Sequence, residues 1–189
     1  MLITGFATGP GGVNCYLVAQ SQGGPAVVID PADEAVPTLE YYFEVNGFTP
    51  AAVLLTHGHP THAASAFDLS VGWGIPTYVH PADLALLAQL GDHQPPMVLE
   101  VHDGDELSIA DILVTVDHTP GHTAGSVVYR VLADSDEGPV PVVFTGDAAP
   151  AAVLEKLIAV DNTAVVLPGH GSSTTIGAYR RFNREPQEN

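Results

Sequence analysis

The sequence predicts a mixed α/β fold, and three observations carry that reading. Eight apolar, β-rich runs recur along the 189 residues, at YLVA, AVVID, AAVLLT, PTYVH, ILVTVDHT, GSVVYRVL, VPVVFTGD and AVVLPGH, each bounded by Gly, Pro or Asp. Helical candidates alternate with them. Four of the strands run straight into loops rich in His, Asp and Gly: VLLT into HGHPTH, VTVDHT into PGHTAGS, VVFT into GD, and VVLP into GHG.

In chain order, YLVA and AVVID are followed by a helix over Asp33 to Asn46. AAVLLT leads through the histidine-rich loop into a helix over Thr61 to Trp73, for which Pro60 suits the first turn because its missing N–H is unpaired there anyway. PTYVH precedes a helix over Pro81 to Leu90. ILVTVDHT, GSVVYRVL and VPVVFTGD follow, then helices over Val153 to Ala159 and Ile176 to Phe182 on either side of AVVLPGH.

A chain of this length, 46% hydrophobic, can bury a sizeable core and fits one domain spanning 1–189, with a frayed polar tail at 184–189. It shows no internal repeat and no linker. The opening MLITGFATGPGG lacks a basic region followed by an apolar one, and no run reaches the roughly 18 apolar residues of a membrane helix, so a soluble, cytoplasmic protein is expected. Cys15 is the one cysteine, which rules out an intrachain disulfide and reads as a small buried strand residue. Five Lys and Arg against 22 Asp and Glu give a net charge of −17, which repels phosphate backbones and anionic membranes. The expected partner is a small molecule, with no nucleic acid and no membrane.

Histidine spacing points to metal chemistry. A catalytic metal site takes imidazole nitrogens and carboxylates at about 2.0 to 2.2 Å and leaves a position for water, so several rings must be aimed at one point. In the stretch from Thr56 to His62, His57 and His59 lie two apart on an extended segment and project to one side, and His62 follows one turn into the next helix. With PGH at His122, TGD at Asp147 and PGHG at His170, each at a strand end, the set outweighs coincidence. His80, His93, His102 and His118 stand singly and are read as ordinary hydrogen-bonded histidines. Glycines 121, 125, 146, 169 and 171 are read as turn residues that let neighbouring ligands face inward. Asp30 in VIDP reads either as an acceptor for a ligand histidine's second N–H or as a strand-end turn aspartate.

At these motifs, together with NCYLV, VIDP, LLTHGH, HTPGHTAGSV, VFTGD and VVLPGHGSSTTIG, the chain resembles the metallo-β-lactamase superfamily, and within it the glyoxalase II-like hydrolases. The resemblance implies a four-layer αββα sandwich with the site along one edge of two sheets. It implies that His57, His59 and His122 hold a first metal, His62 and His170 a second, and that Asp147 bridges both. The metal would be zinc, one or two ions, with iron or manganese as alternatives. The implied activity is hydrolysis of a small acyl thioester by a metal-bound hydroxide, with His57, His59, Asp147 and position 61 at the reacting centre.

Two departures qualify the resemblance. The family motif His-x-His-x-Asp-His has Thr61 where the aspartate stands, and a neutral hydroxyl cannot replace that charge. After Asp147 the chain continues AAPAAVLEKL, without the family's Gly-Arg loop, and a glutathione-binding helical domain is not expected. The pocket is therefore expected to be open and short of cations, with Arg180, Arg181 and Arg184 read as solvated charges. Two other readings stay beside the hydrolase: a persulfide dioxygenase with one iron, and a catalytically silent metal-binding relative.

Overall fold

The computed structural model describes residues 1–135 and 138–182. Two six-stranded sheets stack face to face. The first is built in chain order from β1 (Leu2–Thr8), β2 (Val13–Ala19), β3 (Pro25–Ile29), β4 (Thr49–Leu54), β5 (Thr77–Val79) and β6 (Val98–Glu100). Its first two pairings are antiparallel and the rest parallel. The second contains β7 (Glu106–Ile109), β8 (Ile112–His118), β9 (Val127–Ala133), β10 (Val140–Gly146), β11 (Val165–Pro168) and β12 (Thr174–Thr175). Here only β10 and β11 run parallel, and β8 shares their direction because two antiparallel steps separate it from β10.

Side-chain alternation builds three cores from these strands. On β2, Tyr16 and Val18 face the other sheet, where they join Val27, Ile29 and Leu54 against Val114, Val116, Tyr129 and Phe144. Cys15 and Leu17 face the opposite way, onto α1 (Ala35–Asn46) and α3 (Ala66–Trp73), with Leu39, Phe43 and Leu69 closing that layer. On the far side Val128, Val143 and Val166 are covered by α5 (Pro150–Lys156) and α6 (Ile176–Phe182) through Val153, Leu157 and Ile176. Both faces of each sheet are thus covered, which is the expected αββα sandwich and explains why the strands read as continuous apolar runs. Among the described residues no helix is long and apolar enough to cross a membrane.

All eight sequence-predicted runs are strands, and α6 has its predicted bounds. Other helices differ for local reasons. The expected Thr61 to Trp73 helix is two: α2 (Pro60–Ala63) and α3, broken where the Ser65 N–H is drawn to the Pro31 carbonyl at 2.9 Å and its hydroxyl to Ala32 O at 2.6 Å. The segment from Pro81 divides into a 3-10 turn (Pro81–Asp83), α4 (Leu84–Leu87) and a second 3-10 stretch (Ala88–His93) kinked at Gly91. α5 starts at Pro150, ahead of the expected Val153, because proline is preorganised for a first helical position and Ala149 before it is extended. Arg180 is not a solvated charge: its guanidinium bonds Asn162 Oδ1 at 2.5 Å and the carbonyls of Ile158 and Val160 at 2.8 and 2.9 Å. The expected tail at 184–189, with Arg184, lies outside the described residues.

The sheets are tied along the edge where the histidine loops emerge. From β2, Asn14 donates from its side chain to the carbonyls of Pro168 and Gly171, both at 2.9 Å, and the Tyr16 hydroxyl donates to Pro168 O at 2.7 Å. The Thr56 carbonyl, just past β4, accepts the Val127 N–H at the start of β9 at 2.8 Å.

Candidate metal centre

Every strand that ends in a histidine- or aspartate-rich loop delivers it to the same edge. The loop after β4 carries His57, His59 and His62, the β8–β9 loop His122, the end of β10 Asp147, and the end of β11 His170. His59 is extended (φ −62°, ψ 135°) and caps α2, so Pro60 occupies the first helical position as anticipated and the chain turns His62 back inward.

Six of the seven predicted site residues meet there in two adjoining trios. His57, His59 and His122 form one, and His62, Asp147 and His170 the other. The ring centroids of the first lie 4.8, 4.8 and 4.9 Å apart, close to an equilateral triangle, with His59 Nδ1 and His122 Nε2 separated by 3.1 Å. In the second, Asp147 Oδ2 stands 3.4 Å from His62 Nε2 and 3.5 Å from His170 Nε2. It also stands 3.5 Å from His122 Nε2 of the first trio. Ligands about 2.0 to 2.2 Å from one ion sit roughly 3.0 to 3.5 Å from each other, so these separations suit donors around a common cation. His57 Nε2, His62 Nε2 and Asp147 Oδ1 are moreover buried without a hydrogen-bond partner, a costly arrangement that a bound cation would relieve. The donor set, five imidazoles and one carboxylate, fits zinc, iron or manganese.

A buried aspartate sets the tautomers. Asp30, held in the left-handed region at φ 50°, accepts the Thr56 N–H on Oδ1 at 2.8 Å and the Thr56 hydroxyl on Oδ2 at 2.6 Å. That hydroxyl has spent its proton, so at 3.1 Å from His57 Nδ1 it can only accept, which leaves the proton on Nδ1 and the lone pair on Nε2. His62 Nδ1 lies 3.1 Å from Asp30 Oδ2 and donates likewise. Asp30 therefore aims one histidine in each trio, the bracing role among its two sequence readings. Burial lowers His57 to about 4, keeping it neutral, and burial with the nearby His122 lowers His59. For His62 burial acts the same way, but the neighbouring Asp147 and Asp30 carboxylates outweigh it and hold the ring up to about 9. Burial pushes Asp147 up, and the bond and charge of His62 more than reverse this, bringing it to about 2.

Asp83 is a site residue that the sequence did not disclose. Fully buried, it accepts the Gly58 N–H at 2.9 Å and the Thr123 hydroxyl at 2.6 Å on one oxygen, and the Gly125 N–H at 2.7 Å on the other. It thereby pins the His57–His59 loop to the His122 loop. Gly125 is required by this closeness and not by a turn: a Cβ there would come within 2.6 Å of the Asp83 carboxyl carbon. Gly169 has the same character, since a Cβ would collide with Asp147 and stand 2.9 Å from His62 Cε1. The only sequence signal was an acid just past a strand, in HPAD.

Thr61 is the residue the structure leaves aside. It is exposed, belongs to neither trio, and faces a cavity beside α2. The isolated histidines also stay out of both groups: His80 Nδ1 accepts the Ala82 N–H at 3.2 Å, and His118 Nε2 bonds Ala124 O at 2.9 Å.

A sequence profile described as the metallo-β-lactamase superfamily matches residues 8–184. The chain belongs to the metallo-β-lactamase superfamily. An uncharacterized protein of Mycobacterium tuberculosis is 43% identical to this superfamily member, over 97% of this chain and 96% of its own. The hydroxyacylglutathione hydrolase GloC of Haemophilus influenzae is 26% identical, over 90% of this chain and 91% of its own. Among solved structures, TTHA1623 in a di-iron-bound form superposes with a TM-score of 0.75 at 31% identity, over 94% of this chain and 97% of that one. Metal-dependent hydrolysis is the prevailing chemistry of the superfamily.

Proposed function

We propose that the protein hydrolyses small acyl thioesters at a metal centre held by His57, His59, His122, Asp147, His62 and His170. The observation that carries this reading is the pair of trios meeting at Asp147 Oδ2, which lies 3.4 to 3.5 Å from one imidazole of the first and two of the second. A divalent cation bound there supplies a Lewis acid that polarises a carbonyl and brings the pKa of a water to about 7.

The rest falls to the chain itself. His57, its tautomer set by Asp30 through Thr56, presents its Nε2 lone pair without rearrangement, His62 is oriented by Asp30 through Nδ1 and would give up its Nε2 proton when a cation binds, and Asp147 contributes the negative charge that balances the centre. Asp83 fixes the spacing of the two loops. None of these groups is left over to donate a proton to a leaving group, and the Thr61 hydroxyl is too weak an acid to do so. A thiolate, whose conjugate acid has a pKa of about 8.5, departs without that help, whereas an amide nitrogen does not. The site's chemistry therefore favours thioesters over amides. The name of the GloC relative, a hydroxyacylglutathione hydrolase, supports the same reaction class. The di-iron neighbour makes iron a candidate beside zinc.

The test is elemental analysis of protein purified without added metal, followed by hydrolysis assays on chelated and reloaded samples with a free-thiol readout. Metal-dependent release of thiol, abolished in Asp147→Ala, is expected. Metal-replete protein that cleaves no acyl thioester, yet gains the activity in Thr61→Asp, would show that the scaffold has lost the reaction.

A further inference from the structure

A cavity of about 350 Å³ opens beside the second trio, between the β1–β2 turn and the start of α2. Pro10, Val13, Pro60 and Ala64 give it an apolar wall, and Thr61 and Asp33 supply its polar side chains together with Thr8. It adjoins the metal centre directly. Val13 forms a backbone bridge with His170, and Gly11, also on the wall, lies close enough that a Cβ on it would stand 4.0 Å from the His170 ring. Pro60 and Thr61 are the two residues between His59 and His62. Its volume is at the low end for small-molecule sites, which are typically about 300 to 1,000 Å³.

The charge of this wall is its informative feature. Asp33 is exposed and brings one carboxylate; no lysine or arginine lines the cavity. Of the basic side chains described elsewhere, Arg181 is exposed on α6 and lines a separate cavity with Asn162 and Arg180, and the other three are engaged. Lys156 Nζ is 2.7 Å from Asp103 Oδ2, Arg130 Nε is 3.2 Å from Asp117 Oδ2, and Arg180 is bonded to Asn162 and to backbone carbonyls. A similar cavity on the other flank, beside His118 and Pro120, contains Lys156, but with that ammonium already paired and Glu155 next to it. A substrate carboxylate would thus meet Asp33 or Glu155 with no free cation, in a chain of net charge −17. Thr61 adds to this, placing a methyl and a hydroxyl on the wall where an aspartate would bring a second negative charge.

We infer that this cavity receives the thiol portion of the substrate and selects a thioester whose thiol carries no carboxylate: a neutral or amine-bearing thiol. The inference rests on the thioester reading above. Water adds to the acyl carbon, the carbon–sulfur bond breaks with its electron pair going to sulfur, and the products are a carboxylic acid and the free thiol.

The experiment compares three acetyl thioesters that share the acyl group, using protein of measured metal content: S-acetyl-N-acetylcysteamine (neutral), acetylthiocholine (cationic) and S-acetylglutathione (anionic). The neutral and cationic esters are expected to exceed the glutathione ester in kcat/KM by roughly tenfold, the order of one uncompensated charge at a partly exposed site. Asp33→Lys, at an exposed position outside both trios, should lower acetylthiocholine turnover and raise that of S-acetylglutathione, inverting the order. Equal or faster cleavage of the glutathione ester by the native protein, or a ratio unmoved by Asp33→Lys, overturns the selectivity while leaving thioesterase activity intact. Failure to cleave any of the three overturns both that reading and this one.

Discussion

Replacing Asp83 by asparagine separates its bracing role from the ligands themselves. The carboxylate takes three short hydrogen bonds across two oxygens, from Gly58, Thr123 and Gly125. Asparagine offers one oxygen, so in either orientation its NH2 must face a donor. With the oxygen toward Gly125, the Gly58 N–H is opposed; with the oxygen toward Gly58 and Thr123, the Gly125 N–H is. At least one buried N–H of a histidine loop is then unsatisfied, at about 1 to 3 kcal/mol, and the remaining bonds lose their charge assistance. A total near 3 kcal/mol corresponds to a Tm drop of roughly 6 to 12 °C for a chain of this size. Since Asp83 positions the backbone on both sides of the first trio, metal affinity should also fall by about 10 to 100-fold. Competition against a chromophoric chelator measures the affinity, and thermal unfolding of chelated protein measures the stability. Asp103→Asn, which removes an exposed carboxylate paired with Lys156, serves as the control. An Asp83→Asn protein that folds and binds metal within about twofold of the native chain would refute the reasoning, because affinity is spared only if Asp83 packs the loops without positioning the ligands.

Three further outcomes are expected. Thr61→Asp restores a carboxylate beside His62, so the metal content per chain should rise and the weaker ion should resist chelation more strongly. In metal-free protein the raised pKa of His62 is a stability contribution present in full below its ordinary value of 6.5 and lost as pH rises toward about 9. Unfolding temperature should therefore decline across that window, and His62→Asn should flatten the decline; His57, lowered to about 4, acts in the opposite sense only below pH 6.5. Cys15 is fully buried and burial raises its thiol pKa, so Ellman's reagent should label it only on unfolding, and rapid labelling of native protein would contradict the packing of β2.

What could be read from the sequence follows the range of the interactions concerned. The central strands were legible because both their faces are buried, which writes an unbroken apolar run. β1 was not, since its mixed LITGFAT pairs on one edge and stays half exposed, and β6, β7 and β12 are too short to show a period. The six ligand candidates were legible because each falls in a short motif that also holds a glycine, a proline or a second histidine. Asp83 was not, because its partners lie 25, 40 and 42 residues away and nothing local marks it. The break at Ser65 escaped for the same reason: its competing acceptors, Pro31 and Ala32, belong to a distant loop. Thr61 was visible as an anomaly, but only the fold placed it on a cavity wall.

The seam between the sheets has a consequence for the life of the protein. Each trio draws donors from both halves of the chain: His57, His59 and His62 follow the first sheet, while His122, Asp147 and His170 hang from the second, with the His170 loop held in turn by Asn14 and Tyr16. The unfolded chain, and either sheet alone, offers no such site, so an ion bound there acts as a rivet across the sandwich. At a free-metal concentration a hundredfold above the dissociation constant, the rivet adds about 2.7 kcal/mol to the folded state. Metal supply then governs how long each molecule lasts as well as whether it can react, and chains made under metal scarcity would be the first to open and be cleared.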